Sequence, residues 1–364
     1  MEILLCSDCF QDPGLRMDAQ GFGVAAEGAC PICRSDKGKK LDKDRVAALA
    51  GSFFVWGTML RCDYGAAPVV QFNEHQKTSI SAPPWLEPEL RRIEVATGFG
   101  FFHYGPRLWM VGGVGPLEAL QDPERRELVV RRIISEYPAA TLASGEVFYR
   151  VRKGPARPGD PGEYDSPPVS GSGRLDTPDN PVMYGSQDLQ VCIHECRVTA
   201  EDDLYVASLA ATRDLKLLDL THLLYEEHVT EFESLDMAVH MLFLAGPHSY
   251  EIARIIGHAA RGAGYDGLIY PSYFSLLRSG GRPFETVYGI SLRRFPQAEE
   301  YERAKIIPNL GLFGRPVREG AVTTRGINRM VLDRVEYGIR FGPVGFEREP
   351  WRPELFTGEP GEPQ

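Results

Sequence analysis

No apolar run in the 364-residue chain is long enough to span a bilayer, so no transmembrane helix and no membrane partner are expected. An excess of positive charge is also missing. Forty Lys and Arg against fifty Asp and Glu leave a formal net charge of −10. That argues against a general nucleic-acid or anionic-membrane partner, because polyanions need a basic surface. The opening MEILLCSDCF places acidic Glu2 where a signal peptide would carry positive charge, and the expected location is the cytoplasm. There are no internal repeats. A dinucleotide-binding glycine turn is absent too. RLWMVGGVGPLEAL sets strand-like apolar residues before Gly113 and Gly115, but Glu118 stands where the third glycine belongs, leaving only a Gly-rich turn.

What is present begins with cysteine. Four of the 7 cysteines are arranged as Cys6-Ser-Asp-Cys9 and Cys30-Pro-Ile-Cys33. Each pair closes a tight knuckle, and the loop between them can bring both knuckles to one tetrahedral zinc ion. Four thiolates leave the ion no open position, so the zinc at Cys6, Cys9, Cys30 and Cys33 would be structural. It would stabilise a module too short to fold alone. Cys62, Cys192 and Cys196 read as small buried thiols, and the scattered histidines show no ligand spacing.

The texture of the chain suggests four segments: a zinc-knuckle module over 1–36, a mixed, mostly helical middle domain over 37–143, a strand-rich domain over 144–346, and a Pro- and Glu-rich disordered tail over 347–364. In the second segment, DKDRVAALAGSFFVWGTML reads as a helix started by Asp42 or Asp44, APPWLEPELRRIEVATGFGFF as a Pro-punctuated helix, and DPERRELVVRRIISEYP as an amphipathic helix stopped by Pro138. In the third, EVFYRVRKG, PVMYG, DLYVASLAATRDLKLLDLT, GLIYP, FETVYGISL and VEYGIRF supply strands. LDMAVHMLFLAG and SYEIARIIGHAARGAG read as helices, and Ser186 can cap the helix QDLQVCIHE. The stretch GPARPGDPGEYDSPPVSGSG has too much Pro and Gly for regular structure, and loops of that length are usually functional or disordered. The fold class is α+β, a mixed β-sheet core with helices.

One stretch, GRLDTPDNPVMYGSQDLQVCIHE at 173–195, lays out Arg174, Tyr184 and Glu195 at intervals of ten and eleven, and Ser272 follows in YDGLIYPS. With Arg150 in FYRVR, these positions from about 146 to 345 resemble the RES domain, named for its Arg, Glu and Ser. The resemblance implies an ADP-ribosyltransferase-like fold and an NAD-consuming toxin of a bacterial toxin–antitoxin pair. Members with an added N-terminal cysteine-rich region fit the knuckles. Many members have Trp-Asn after the arginine, whereas this chain has Leu175-Asp176. That puts an acid beside a phosphate-binding Arg.

The chemistry can be argued from the residues as well. NAD carries a pyrophosphate and an activated bond between ribose and a cationic nicotinamide. Its cleavage passes through an oxocarbenium-like state, as in glycoside cleavage. A carboxylate at Glu195 suits the developing positive charge. The forked donors of Arg174 and Arg150 suit phosphate oxygens. Tyr184 can stack on the nicotinamide ring or fix it by its hydroxyl, and Ser272, exposed after its proline, can donate to the amide or ribose. The acceptor would be water or inorganic phosphate, making the enzyme an NAD glycohydrolase or phosphorylase that depletes cellular NAD. A protein side chain as acceptor would make it an ADP-ribosyltransferase. A catalytically degenerate binding module is the third reading. An antitoxin or regulatory protein and a homo-oligomer are the partners this leaves open.

Overall fold

In the computed structural model, the described residues are 2–56, 70–73, 77–78, 82–103, 114–169, 171, 173–281, 285–287, 290–336, 338–339 and 341–343. Cys62, most of the Gly-rich turn before Val114 and the tail from 347 lie outside them. None of the helices among these residues is long and apolar enough to cross a membrane.

Chain contacts divide the molecule into two compact units: 1–60 with 67–110 and 337–364, and 61–66 with 111–336. In the first, strands Leu5–Cys6 and Lys40–Leu41 pair antiparallel beside the cysteine knuckles. Asp12 caps the helix Pro13–Phe22 by accepting from Leu15 N at 2.8 Å. Asp42 does the same for Lys43–Gly51, accepting from Arg45 N at 3.0 Å. The helix Glu87–Thr97 stops at Gly98, whose φ of 72° is one glycine tolerates at little cost. Leu5, Cys9, Phe10, Leu49, Phe53 and Leu90 share one buried cluster. The contact partition therefore groups the knuckles with the first helices of the expected middle segment. A knuckle of this length has too little apolar surface to bury a core of its own.

The second unit holds two main sheets and a two-stranded ribbon, Thr286–Val287 with Ile290–Ser291. The larger runs in the order Ala139–Leu142, Leu215–Asp219, Gly267–Pro271, Pro308–Phe313, Val182–Gly185. Only the Leu215–Asp219 and Gly267–Pro271 pair is parallel. The smaller sheet is antiparallel, in the order Val322–Met330, Leu204–Ala211, Val147–Lys153. An isolated bridge from Tyr149 to Ser186 ties the two together. Phe148, Met183, Leu209, Leu217, Leu310 and Leu312 form their shared core. The helix Leu235–Leu244 is buried along its whole length, which explains why LDMAVHMLFLAG is apolar all round. The helix Tyr250–Gly262 shows one apolar face, with Ile252, Ala253 and Ile256 buried. The fold is α+β.

Several local expectations are corrected. Strands Pro308–Phe313 and Val322–Met330 had no place in the sequence reading, yet each adds a strand to one of the sheets. VEYGIRF forms no strand among its described residues. FETVYGISL contributes only the two-residue strands Thr286–Val287 and Ile290–Ser291, paired antiparallel, and Phe284, Tyr288 and Gly289 lie outside the described residues. Ser186 is not the helix cap. Asp188 accepts from Val191 N at 3.0 Å, while buried Ser186 donates to Pro308 O at 2.7 Å and stitches two strands together. The Pro/Gly stretch contains one short 3-10 turn, Pro161–Tyr164, with Tyr164 fully buried. Arg150 and Arg152 of the adjacent strand both donate to the carbonyl of Asp165 and hold this stretch in place.

Candidate active site

The loop before the Val182–Gly185 strand folds against that strand through one hydroxyl. Tyr184 Oη accepts from Leu175 N at 2.7 Å and Asp176 N at 3.0 Å, and donates to Asp176 Oδ1 at 2.8 Å. A Cβ on Gly173 would lie 2.1 Å from Asp176 Oδ1 and 2.7 Å from Tyr184 Oη, so only glycine fits there. Burial first, and the Asp176 carboxylate next, push the Tyr184 phenol far above its ordinary range. With its hydroxyl committed to the loop, Tyr184 offers its ring to the surroundings.

Leu175-Asp176 is explained by the same packing. Leu175 is fully buried, and a Cβ on Gly311 would come within 2.8 Å of its Cδ1. Asp176 is also buried, its carboxylate turned to Tyr184 and to Gly171 N. It forms no ion pair with Arg174 among the described residues. Arg174 itself is buried at 7% exposure. Its Nη2 donates to Ala245 O at 2.9 Å, and its Nη1 to Leu242 O and Ser249 Oγ, each at 3.4 Å. The guanidinium lies 4.8 Å from the centre of the Tyr250 ring, within cation–π range. It therefore caps the carbonyl end of the Leu235–Leu244 helix.

Glu195 ends the helix Leu189–Glu195. One carboxylate oxygen, Oε1, accepts from Ser272 Oγ at 2.7 Å and from Asn309 Nδ2 at 2.6 Å. The residue remains exposed, and no described residue hydrogen-bonds Oε2. Ser272, expected to be exposed, is fully buried. The strand Gly267–Pro271 carries it below the surface, its N–H bonds Ile307 O at 2.9 Å, and its hydroxyl is spent on Glu195. Asn309 was not anticipated. It heads the strand Pro308–Phe313 opposite Tyr270. The one signal in IIPNLGLF is an amide standing before an apolar run.

These parts surround a cavity of about 300 Å³ whose walls include Arg150, Arg152, Arg174, Tyr184, Glu195 and Asn309, within the range of small-molecule sites. Tyr250, Tyr270, Asp176, Cys192 and Cys196 also line it. Burial pushes the Cys192 thiol up to about 12, and also raises Cys196. Both donate to strand carbonyls, Tyr149 O at 3.2 Å and Val151 O at 3.4 Å.

Residues 147–282 match the family model described as the RES domain. The chain carries a RES domain. Arg150, Arg174, Tyr184, Glu195 and Ser272 all fall inside the matched span, whereas Asn309 lies beyond it. The sheet that carries Tyr184 and leads to Ser272 is thus completed by a strand that follows the matched residues. Among solved structures, a chain of the M. tuberculosis MbcT-MbcA toxin-antitoxin complex is similar at 17% identity. The match covers 56% of this chain and 92% of that one, with a TM-score of 0.31. No curated protein matches the chain.

Outside the RES domain, the Sγ atoms of Cys6, Cys9, Cys30 and Cys33 lie within 4.8 Å of one another. The separations are 4.0 Å for Cys6–Cys9, 3.4 Å for Cys6–Cys33 and 3.5 Å for Cys9–Cys30. A zinc tetrahedron with bonds of about 2.3 Å has edges of about 3.8 Å, so the donor set fits that ion. Positive φ at Arg34, 64°, and the Arg34 N to Cys30 O bond of 3.0 Å close the second knuckle. Cys192, His194 and Cys196 form no such group. The His194 ring stacks on Phe274 at 5.6 Å while the two thiols bond the strand.

Proposed function

We propose that the protein is an NAD-degrading enzyme that cleaves the nicotinamide–ribose bond. The observation that carries this is Glu195: an exposed carboxylate with one oxygen fixed by Ser272 and Asn309, on the wall of a cavity that also holds buried arginines. Fixing one oxygen removes the rotational freedom of the carboxylate and leaves the other oxygen to meet a ribose hydroxyl. As the bond to nicotinamide lengthens, positive charge grows on the ribose, and a pre-oriented carboxylate stabilises that state more than the bound substrate. Arg174 supplies positive charge for the pyrophosphate, and the Tyr184 ring a face for the nicotinamide. The leaving nicotinamide takes the bonding electron pair. Water or inorganic phosphate then adds to the anomeric carbon, giving ADP-ribose or its phosphorylated form. The RES domain supports the broader reading, an NAD-acting toxin. An activity that drains NAD needs restraint in its own cell, so an inhibitory protein partner belongs with it.

The deciding experiment is incubation of purified protein with NAD, with and without phosphate, following nicotinamide release. Wild type is expected to release nicotinamide and Glu195→Gln to lose most of that release. Equal rates for the two folded proteins would remove the mechanism.

We infer in addition that Cys6, Cys9, Cys30 and Cys33 hold one structural zinc. The four thiols close the ion's coordination, so it supplies folding energy and no chemistry to the cavity. Elemental analysis of protein purified without chelators is expected to find one zinc per chain. Its absence would count against the assignment.

A further inference from the structure

Tyr250, Arg254, His258 and Arg261 follow one another at intervals of four, four and three residues, so they share one face of the helix Tyr250–Gly262. Ile252, Ala253, Ile256 and Ala260 bury another face of the same helix. The first face meets the loop from 171 to 180 along its length. The Tyr250 ring centre lies 4.8 Å from the Arg174 guanidinium. Arg254 Nε donates to Gly173 O at 3.2 Å, and its Nη2 donates to Gly173 O at 2.8 Å and Gly171 O at 2.9 Å. His258 Nε2 bonds Thr177 Oγ1 at 2.8 Å. Arg261 Nη1 donates to Asn180 Oδ1 at 2.8 Å and Asp179 O at 3.3 Å.

Arg254 holds the part of this loop that borders the cavity, since Gly173, Arg174 and Asp176 line it. No other bond among the described residues reaches the carbonyls of Gly171 or Gly173, and Arg254 enters no ion pair among them. Its charge therefore serves the loop backbone. That backbone is costly to order, because glycine has the most conformational freedom to lose. Gly171 has a φ of 119°, in the region that favours glycine. A planar guanidinium on a rigid helix supplies the missing order, since its donors are fixed relative to one another. The Tyr184 hydroxyl grips the same loop from the strand side, at Leu175 N and Asp176 N.

We propose that Arg254 is a positioning residue for substrate binding. It fixes the backbone at 171 and 173 so that Gly173 and Arg174 form a wall of the cavity. The kinetic consequence rests on the NAD reading above, whereas the anchoring does not.

The test compares the full chain as wild type, Arg254→Ala and Arg254→Lys. Hydrogen–deuterium exchange reads the loop. In Arg254→Ala the amides of Leu175 and Asp176 should exchange about 10-fold faster, while the helix Leu189–Glu195 keeps its rates. Arg254→Lys should recover part of this protection, because an ammonium is a point charge and not a fork. NAD kinetics and calorimetry with ADP-ribose read the cavity. KM for NAD should rise, and ADP-ribose affinity fall, about 10-fold in Arg254→Ala, with kcat little changed. An arginine that only stabilised the fold would lower Tm and leave KM and ADP-ribose affinity at wild-type values. Unchanged exchange in folded Arg254→Ala overturns the anchoring, and faster exchange with unchanged KM and affinity overturns the role in binding. An inert wild type whose ADP-ribose affinity depends on Arg254 removes the NAD-cleaving reading and leaves the positioning role. An active wild type whose KM ignores Arg254 does the reverse, and a wild type that neither cleaves NAD nor binds ADP-ribose removes both.

Discussion

At the scale of single residues, Glu195 and Asn309 carry the sharpest expectations. Glu195→Gln keeps size and hydrogen bonding but removes the charge. Because the carboxylate acts chiefly when positive charge develops, kcat should fall on the order of 10²- to 10³-fold, with KM and Tm little changed. Steady-state kinetics of the folded variant checks this, and wild-type kcat would refute it. Asn309 donates to the same oxygen of Glu195 at 2.6 Å. Asn309→Asp replaces that donor with a like charge, which repels the carboxylate and frees it from its fixed orientation. Both Asn309→Asp and Asn309→Ala should then lower kcat without moving KM, the Asp variant more. Wild-type kcat in both folded variants would mean that the amide only packs. Neither the Ser272 geometry nor Asn309 could be read from spacing, since each depends on which strand lies beside the helix end.

At the scale of elements, the loop 173–176 is a folding unit held by the Tyr184 hydroxyl. Tyr184→Phe removes an acceptor for two backbone N–H groups and a donor to a buried carboxylate. Groups left unpaired in this way cost about 1–3 kcal/mol. Chemical denaturation should therefore show a clear loss of stability, and an unchanged midpoint would mean that water replaces the hydroxyl. Arg174→Ala should lower both stability and NAD affinity, because the guanidinium bonds the carbonyls of Leu242 and Ala245 at the end of a buried helix. A variant of full stability with weakened NAD binding would assign Arg174 to the ligand alone. The capping of this helix end was invisible in the sequence, where Arg174 and Leu242 are 68 residues apart.

At the scale of the whole molecule, the two compact units predict two thermal events. Chelation of zinc, or Cys30→Ser, should lower the transition of the unit that contains the knuckles. NAD turnover by the RES domain should persist below the second transition. Calorimetry with turnover measured at each step checks this, and a single cooperative transition lost on chelation would show that zinc holds the whole chain. Three of the four cysteines, Cys6, Cys9 and Cys30, are buried in the first core with Phe10 and Leu15, so losing the ion should disturb that core and not only a surface loop.

The sequence alone determined what local chemistry and spacing control. Paired C-x2-C knuckles point to four thiols that could hold one metal ion, because soft ligands at that spacing have few other uses. Asp42 and the apolar periodicity state a helix, and Arg174, Tyr184, Glu195 and Ser272 state a family by order. Tertiary structure decided the rest. It buried Ser272, turned the Tyr184 hydroxyl onto Asp176, spent Arg174 on a helix end and brought Asn309 to Glu195 across 114 residues. It also placed Arg150 and Arg152 on one oxygen of a loop whose composition gave only irregularity. Hydrogen-bond partners are chosen by strand order and register, and those follow from packing the whole core, which no local window of residues contains.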